Sequence, residues 1–131
     1  MDVIPTNLSV AIVDDERSVR RSLGRLLRSA GIHVEAFASG AEFLERLPTG
    51  SWQVVVLDIH LPGLTGFELL KRVRDERAEL AVIMITGYEE RDVKRRAYDA
   101  GAKGFLLKPF MFSEFLEVVR ALPGVGTQAQ Q

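Results

Sequence analysis

The sequence predicts an α/β domain whose parallel sheet is covered by helices on both faces. Short β-branched runs alternate with longer stretches of helical period, the pattern of βαβ units. The central runs are apolar without interruption, as strands buried on two faces require. Several switches of period coincide with a glycine, a proline or a helix-capping pair. At 131 residues and 47% hydrophobic, the chain fits one domain with a substantial core.

The first run, Leu8 to Val13, leads into a helix from about Glu16 to Ala30. Val19, Leu23, Leu26, Leu27 and Ala30 form its apolar face, and Gly31 ends it as a C-terminal cap. A strand from Ile32 to Phe37 follows. Ser39 and Glu42 then have capping-box spacing and open a short helix that Pro48 stops, with Phe43, Leu44 and Leu47 as its stripe. Gln53 to Leu57 reads as a central strand that ends at Asp58. The turn Leu61-Pro62-Gly63 leads to a second capping pair, Thr65 and Glu68, with Phe67, Leu70 and Val73 behind it.

Ala81 to Ile85 is the fourth strand, ended by Thr86-Gly87. The charged segment Glu89 to Ala100 is expected to form a helix on the thin apolar face of Val93, Ala97 and Ala100. Phe105 to Leu107 is the last strand, and a helix from about Ser113 to Leu122 closes the domain. Residues 1–7 are expected to be an N-terminal extension, and residues 123–131, rich in Gly, Gln and Ala, a flexible tail or linker remnant.

Composition narrows the function. With 17 basic and 18 acidic residues the net charge is -1, so no global field draws the chain to nucleic acid or an anionic membrane. Cysteine is absent, which removes disulfides, thiolate metal sites and cysteine nucleophiles. Apolar runs such as Ala81 to Ile85 fall far short of the roughly 20 residues of a membrane span. The acidic N-terminus lacks the apolar core of a signal peptide, so the expected location is the cytoplasm.

Asp14 and Asp15 close the first run, Asp58 closes the third, Thr86 the fourth, and Lys108-Pro109 the fifth. In a parallel α/β sheet these run ends converge on one edge. One aspartate alone is commonly a local cap or turn residue, whereas four coincident run ends point to a shared site. Carboxylates about 4 Å apart repel by roughly 4 kcal/mol per pair at an effective dielectric near 20. A divalent metal removes that cost, and Lys108 adds a cationic corner that suits a phosphoryl group.

With these residues in place, the chain resembles response-regulator receiver domains, the phosphoacceptor modules of two-component signalling, over roughly Ser9 to Leu122, within a domain of residues 8–122. The most specific segments are Val13-Asp14-Asp15, Leu57 to Gly66 (LDIHLPGLTG), Ile85-Thr86-Gly87, and Ala100 to Phe110 (AGAKGFLLKPF). The resemblance implies a doubly wound (βα)5, flavodoxin-like three-layer sandwich with strand order 2-1-3-4-5. It implies that Asp58 is the nucleophile that takes a phosphoryl group from a phosphohistidine, forming an acyl phosphate.

Asp15, Asp58 and the backbone carbonyl of His60 would hold Mg²⁺ (or Mn²⁺), with Asp14 acting through a bound water. Lys108 and Thr86 would pair with the phosphoryl oxygens. Thr86 and Phe105 would form the switch, Phe105 rotating into space that Thr86 vacates. Lys108-Pro109 resembles the family's cis peptide bond, which an X-Pro amide adopts at about 0.5–1 kcal/mol.

The implied partners are a sensor histidine kinase or histidine phosphotransfer protein and a downstream protein target or detached DNA-binding output domain. A phosphorylation-dependent homodimer through the fourth helix, fifth strand and fifth helix is a further implication. Neither direct nucleic-acid binding nor membrane binding is expected. The five arginines from Arg17 to Arg28 read as a solvated face or as a surface for an acidic kinase. Gly87 leaves access to Asp58, the His60 ring is either a bystander or an influence on phosphate lifetime, and His33 reads as structural or exposed.

Two readings compete. A haloacid-dehalogenase-like phosphatase resembles Asp-x-Asp-x-Thr/Val at its nucleophile, but Asp58-Ile59-His60 lacks the second acid. A degenerate receiver serving only as an interaction scaffold would have lost site residues, and all are present. Whether the chain is a single-domain regulator or a receiver from a longer regulator stays open on the sequence.

Overall fold

The computed structural model describes residues 7–125. Strands and helices alternate strictly: β1 (Ser9–Val13), α1 (Arg17–Ser29), β2 (His33–Phe37), α2 (Gly40–Arg46), β3 (Val54–Asp58), α3 (Gly66–Glu76), β4 (Ala81–Thr86), α4 (Val93–Asp99), β5 (Gly104–Leu107) and α5 (Phe112–Arg120). All pairings are parallel, in the order β2-β1-β3-β4-β5.

Because side chains alternate across a strand, the sheet feeds two apolar layers. Val13, Val55, Leu57, Val82 and Met84 face α2, α3 and α4 through Phe43, Leu69, Leu70 and Ala97. Val10, Ile12, Val54, Val56, Ile83 and Ile85 face α1 and α5 through Leu23, Leu27, Phe115 and Val119. No residue of β3 or β4 is exposed, which accounts for their uninterrupted apolar runs.

Local signals set most boundaries. Gly31, at φ 83, lets its N–H reach the Arg28 carbonyl while the Ile32 N–H reaches that of Leu27, both at 3.0 Å, a Schellman closure of α1. Thr65 and Glu68 form a reciprocal capping box on α3. Ser39 accepts from the Glu42 N–H, capping α2 from one side.

The structure corrects several expectations. The fourth helix starts at Val93 rather than Glu89, because Asp92 takes a left-handed φ of 58 that breaks the helical path. On α1, Leu26 is 43% exposed and Ala30 is exposed at the C-cap, so the packed stripe narrows to Leu23 and Leu27, with Val19 partly buried beside them. Ala100 likewise lies exposed beyond the end of α4. Val125, expected in a flexible tail, is buried with Leu122 against the α1/α5 layer. The expectations for residues 1–6 and 126–131 lie outside the described residues. Among the described residues no helix is long and apolar enough to cross a membrane.

Candidate functional site

Register places the site. Val13 pairs with Leu57, Asp58 with Ile85, and Thr86 with Leu107, so Asp14, Asp58, Thr86 and Lys108 lie in one row across the carboxyl edge of the sheet. The ladder continues past the strands: the Asp14 N–H donates to the Phe37 carbonyl at 3.1 Å, Ile59 to Ile85 at 2.9 Å, and Lys108 to Thr86 at 2.7 Å. The row crosses the point where chain order reverses around β1 and β3, the usual ligand crevice of such sheets.

Lys108 Nζ sits among three carboxylates, 3.0 Å from Asp14, 3.1 Å from Asp58 and 2.5 Å from Glu16. Asp14 is fully buried and Asp58 nearly so, whereas Glu16 is exposed. Burial pushes the Asp14 carboxyl pKa up, and the Asp58 charge adds to this; the Glu16 N–H and Lys108 oppose it without cancelling it. For Lys108, burial favours the neutral form, but hydrogen bonds to Glu16 and Asp14 and the charges of Asp14 and Asp58 outweigh it. Its pKa therefore ends above the ordinary lysine range, and the ammonium acts as an internal counter-ion.

Backbone contacts fix the central carboxylate. The His60 N–H donates to Asp58 Oδ1 at 2.9 Å while Lys108 donates to Oδ2. Gly66, the first residue of α3, lies so close to the end of β3 that a Cβ there would meet the Asp58 carbonyl oxygen at 2.5 Å and Ile59 Cα at 2.6 Å. Its N–H donates to the Ile59 carbonyl at 2.9 Å, holding the β3–α3 loop against the strand. Arg20 Nη1 donates to the Asp14 carbonyl at 2.8 Å, pinning the β1–α1 loop.

Oxygens of Asp14, Glu16 and Asp58 lie within 4.8 Å of one another. This all-oxygen set suits a small hard dication. Asp15 stands outside that triad, exposed, and borders the same cleft together with Glu16, Asp58, His60, Gly87, Tyr88 and Lys108. The cleft, roughly 670 Å³, continues into an apolar groove lined by Val19, Leu23, Leu26, Pro109, Phe110 and Phe112.

Thr86 is fully buried, and its hydroxyl is occupied locally: Oγ1 accepts the Tyr88 N–H at 3.1 Å and lies 3.4 Å from the Tyr88 carbonyl. Phe105 is half-buried against the α2/α3/α4 layer and lines a second, smaller cavity with Glu89, Glu90 and Glu114. The Lys108–Pro109 peptide bond is cis. His33 is exposed. A Cβ at Gly87 would meet no atom within 4 Å.

Sequence reasoning missed three residues. Glu16 was taken only as the start of a helix, yet its carboxylate reaches Lys108; an acid directly after an acid pair was the available signal. Tyr88 packs edge-on against the His60 ring, with centroids 4.9 Å apart, and Glu90 Oε1 lies 2.8 Å from His60 Nε2. The sequence points to the His60 ring without a partner and to Glu90 as part of a helix, and nothing in the spacing announces a contact between the two loops.

Comparisons with known proteins agree with this geometry. The family model for the response regulator receiver domain matches residues 10–120. The transcriptional regulatory protein FixJ of Azorhizobium caulinodans is 37% identical over 128 residues, 98% of this chain and 60% of that protein. The DNA-binding transcriptional regulator NtrC of Escherichia coli K12 is 38% identical over 122 residues, 92% of this chain and 26% of its own length. The chain thus spans less than two thirds of either regulator. Among solved structures, a CheY-like receiver domain protein from Methanospirillum hungatei superposes with a TM-score of 0.85 at 27% identity, covering 95% of this chain and 98% of that one.

Proposed function

Because this chain belongs to the response-regulator receiver family, we propose that Asp58 is its phosphoacceptor, charged by a phosphohistidine on a sensor kinase or a histidine phosphotransfer protein. One observation carries the reading: the Asp58 carboxylate is held between a backbone N–H and the Lys108 ammonium in an acidic cleft. An Asp58 oxygen attacks phosphorus, the P–N bond breaks, and its electron pair leaves on the donor imidazole. The product is an acyl phosphate. A carboxylate needs no general base for this step, and Gly87 leaves the approach open.

The oxygen donors of the site fit Mg²⁺ or Mn²⁺, which Asp15 at the cleft, Asp58 and the His60 carbonyl would hold, with Asp14 acting through water. When bound, the dication supplies charge neutralisation for the phosphoryl oxygens. Lys108 shifts its pairing from the carboxylates to those oxygens. The Thr86 hydroxyl leaves Tyr88 and donates to another phosphoryl oxygen, and Phe105 moves into the vacated space.

The altered surface is α4, β5 and α5, where Tyr98, Leu107 and Met111 are exposed apolar positions. It would engage a protein target, a DNA-binding output module or a second copy of the chain. The likeness to FixJ and NtrC favours transcription control as the output. The apolar groove between α1 and the β5–α5 segment, with exposed Arg17, Arg21 and Arg25 on the same helix α1, would receive an acidic-flanked helix of the donor.

Intact mass after incubation with acetyl phosphate tests the nucleophile. The expected result is a Mg²⁺-dependent phosphoryl adduct in the wild type that Asp58→Asn lacks. Equal labelling of both proteins would refute it.

A further inference from the structure

Two loops meet over the mouth of the cleft. His60, on the β3–α3 loop, places Nε2 2.8 Å from Glu90 Oε1 and takes the Tyr88 ring edge-on at an interplanar angle of 80°. Tyr88 and Glu90 both belong to the β4–α4 loop and are tied to each other, since the Glu90 N–H donates to the Tyr88 carbonyl at 3.1 Å. The same Tyr88 donates its N–H to Thr86 Oγ1. One chain of contacts therefore runs from Glu90 through His60 and Tyr88 to the Thr86 hydroxyl.

That chain has a consequence for the switch. When the Thr86 hydroxyl turns to a phosphoryl group, the Tyr88 N–H loses its acceptor and residue 88 must reorient. The Tyr88 ring and the Glu90 carboxylate, both held to His60, cannot keep their places while it does so. The loop also has a joint: Asp92, the only non-glycine residue with positive φ among those described, lies where it meets α4.

We propose that Glu90 and Tyr88 are positioning residues that clamp His60 across the cleft and hold the β4–α4 loop where the Thr86 hydroxyl stays engaged with Tyr88. The clamp favours the resting conformation, so a contact outside the phosphoryl site lowers the affinity for a phosphoryl group. This rests on the phosphoacceptor reading above.

The test measures calorimetric affinity for beryllofluoride, a phosphoryl mimic, at saturating Mg²⁺. Glu90→Gln weakens the pair, and His60→Phe removes its Nε2 while keeping a ring beside Tyr88. Each tightens binding by about two- to fivefold, the scale of an exposed ion pair. The double variant binds no more tightly than the better single one, because both remove the same contact. Glu89→Gln, which removes the same charge from a residue that makes no ion pair with His60, leaves affinity at the wild-type value.

Wild-type affinity in both single variants, additive effects in the double, or tightening by Glu89→Gln equal to that of Glu90→Gln would each overturn the clamp. Absence of beryllofluoride binding in the wild type would overturn the phosphoacceptor reading itself, and the clamp with it.

Discussion

Lys108 Nζ lies 3.1 Å from Asp58 Oδ2 although 50 positions separate them in the chain. The same ammonium also holds Asp14 and Glu16, so one cation offsets three anions. The resting site carries an excess of negative charge while staying folded, which is the condition for attracting a dication and then a phosphoryl group.

Removing that cation exposes its weight. Lys108→Met leaves buried Asp14 and Asp58 without a counter-charge and is expected to destabilise the fold by on the order of 3 kcal/mol at neutral pH. The folded-state pKa of Lys108 is raised, so its contribution is fully present below the ordinary lysine value of 10.5 and is lost only as pH rises through the higher folded value. Thermal melts of both proteins at pH 7 check this. Added Mg²⁺ should recover part of the loss.

Asp14 has the opposite balance. Its pKa is raised from 3.8 by burial, so the ionised form is penalised in the fold and the stability associated with the protonated form is lost as pH rises through the folded pKa. Asp14→Asn should therefore stabilise the metal-free protein at pH 7 by roughly 0.5–2 kcal/mol, the size of one relieved local conflict. The gain should vanish as pH falls below 3.8. Denaturant midpoints measured across that range, with and without Mg²⁺, decide it.

The strand ends were legible because their signals are local and repeated. The Val54–Leu57 run could only be a covered strand, and Thr65 with Glu68 announced α3 in full. Asp14, Asp58, Thr86 and Lys108 were readable as a group because parallel strands bring their ends to one edge whatever the side-chain details. The start of α4 was not legible: Glu89 to Asp92 has helical composition, and the left-handed turn at Asp92 comes from loop geometry that no residue type there requires. Leu26 fits the helical period of α1 but faces the groove, whose other wall, Phe110 and Phe112, comes from the distant start of α5 and the loop before it. Glu16, Tyr88 and Glu90 were missed because their partners lie on other loops and carry no spacing signature.

Leu26 offers a separate test of donor docking. It is 43% exposed, so Leu26→Ser should leave stability nearly unchanged. Phosphotransfer from a phosphorylated sensor kinase should slow about five- to thirtyfold, as loss of a strong interface contact does. The rate with acetyl phosphate, which is too small to occupy the groove, should stay at the wild-type value. Equal slowing with both donors would place Leu26 in the chemistry of the cleft rather than in docking.

The most direct measurement of the central claim locates the acyl phosphate. Protein treated with acetyl phosphate and Mg²⁺ is reduced with borohydride, which converts a phosphorylated aspartate to homoserine, then digested and sequenced by mass spectrometry. The account predicts homoserine at position 58 alone, and none when Mg²⁺ is withheld. Homoserine at position 14 or 15, or an unmodified peptide spanning position 58, would contradict it.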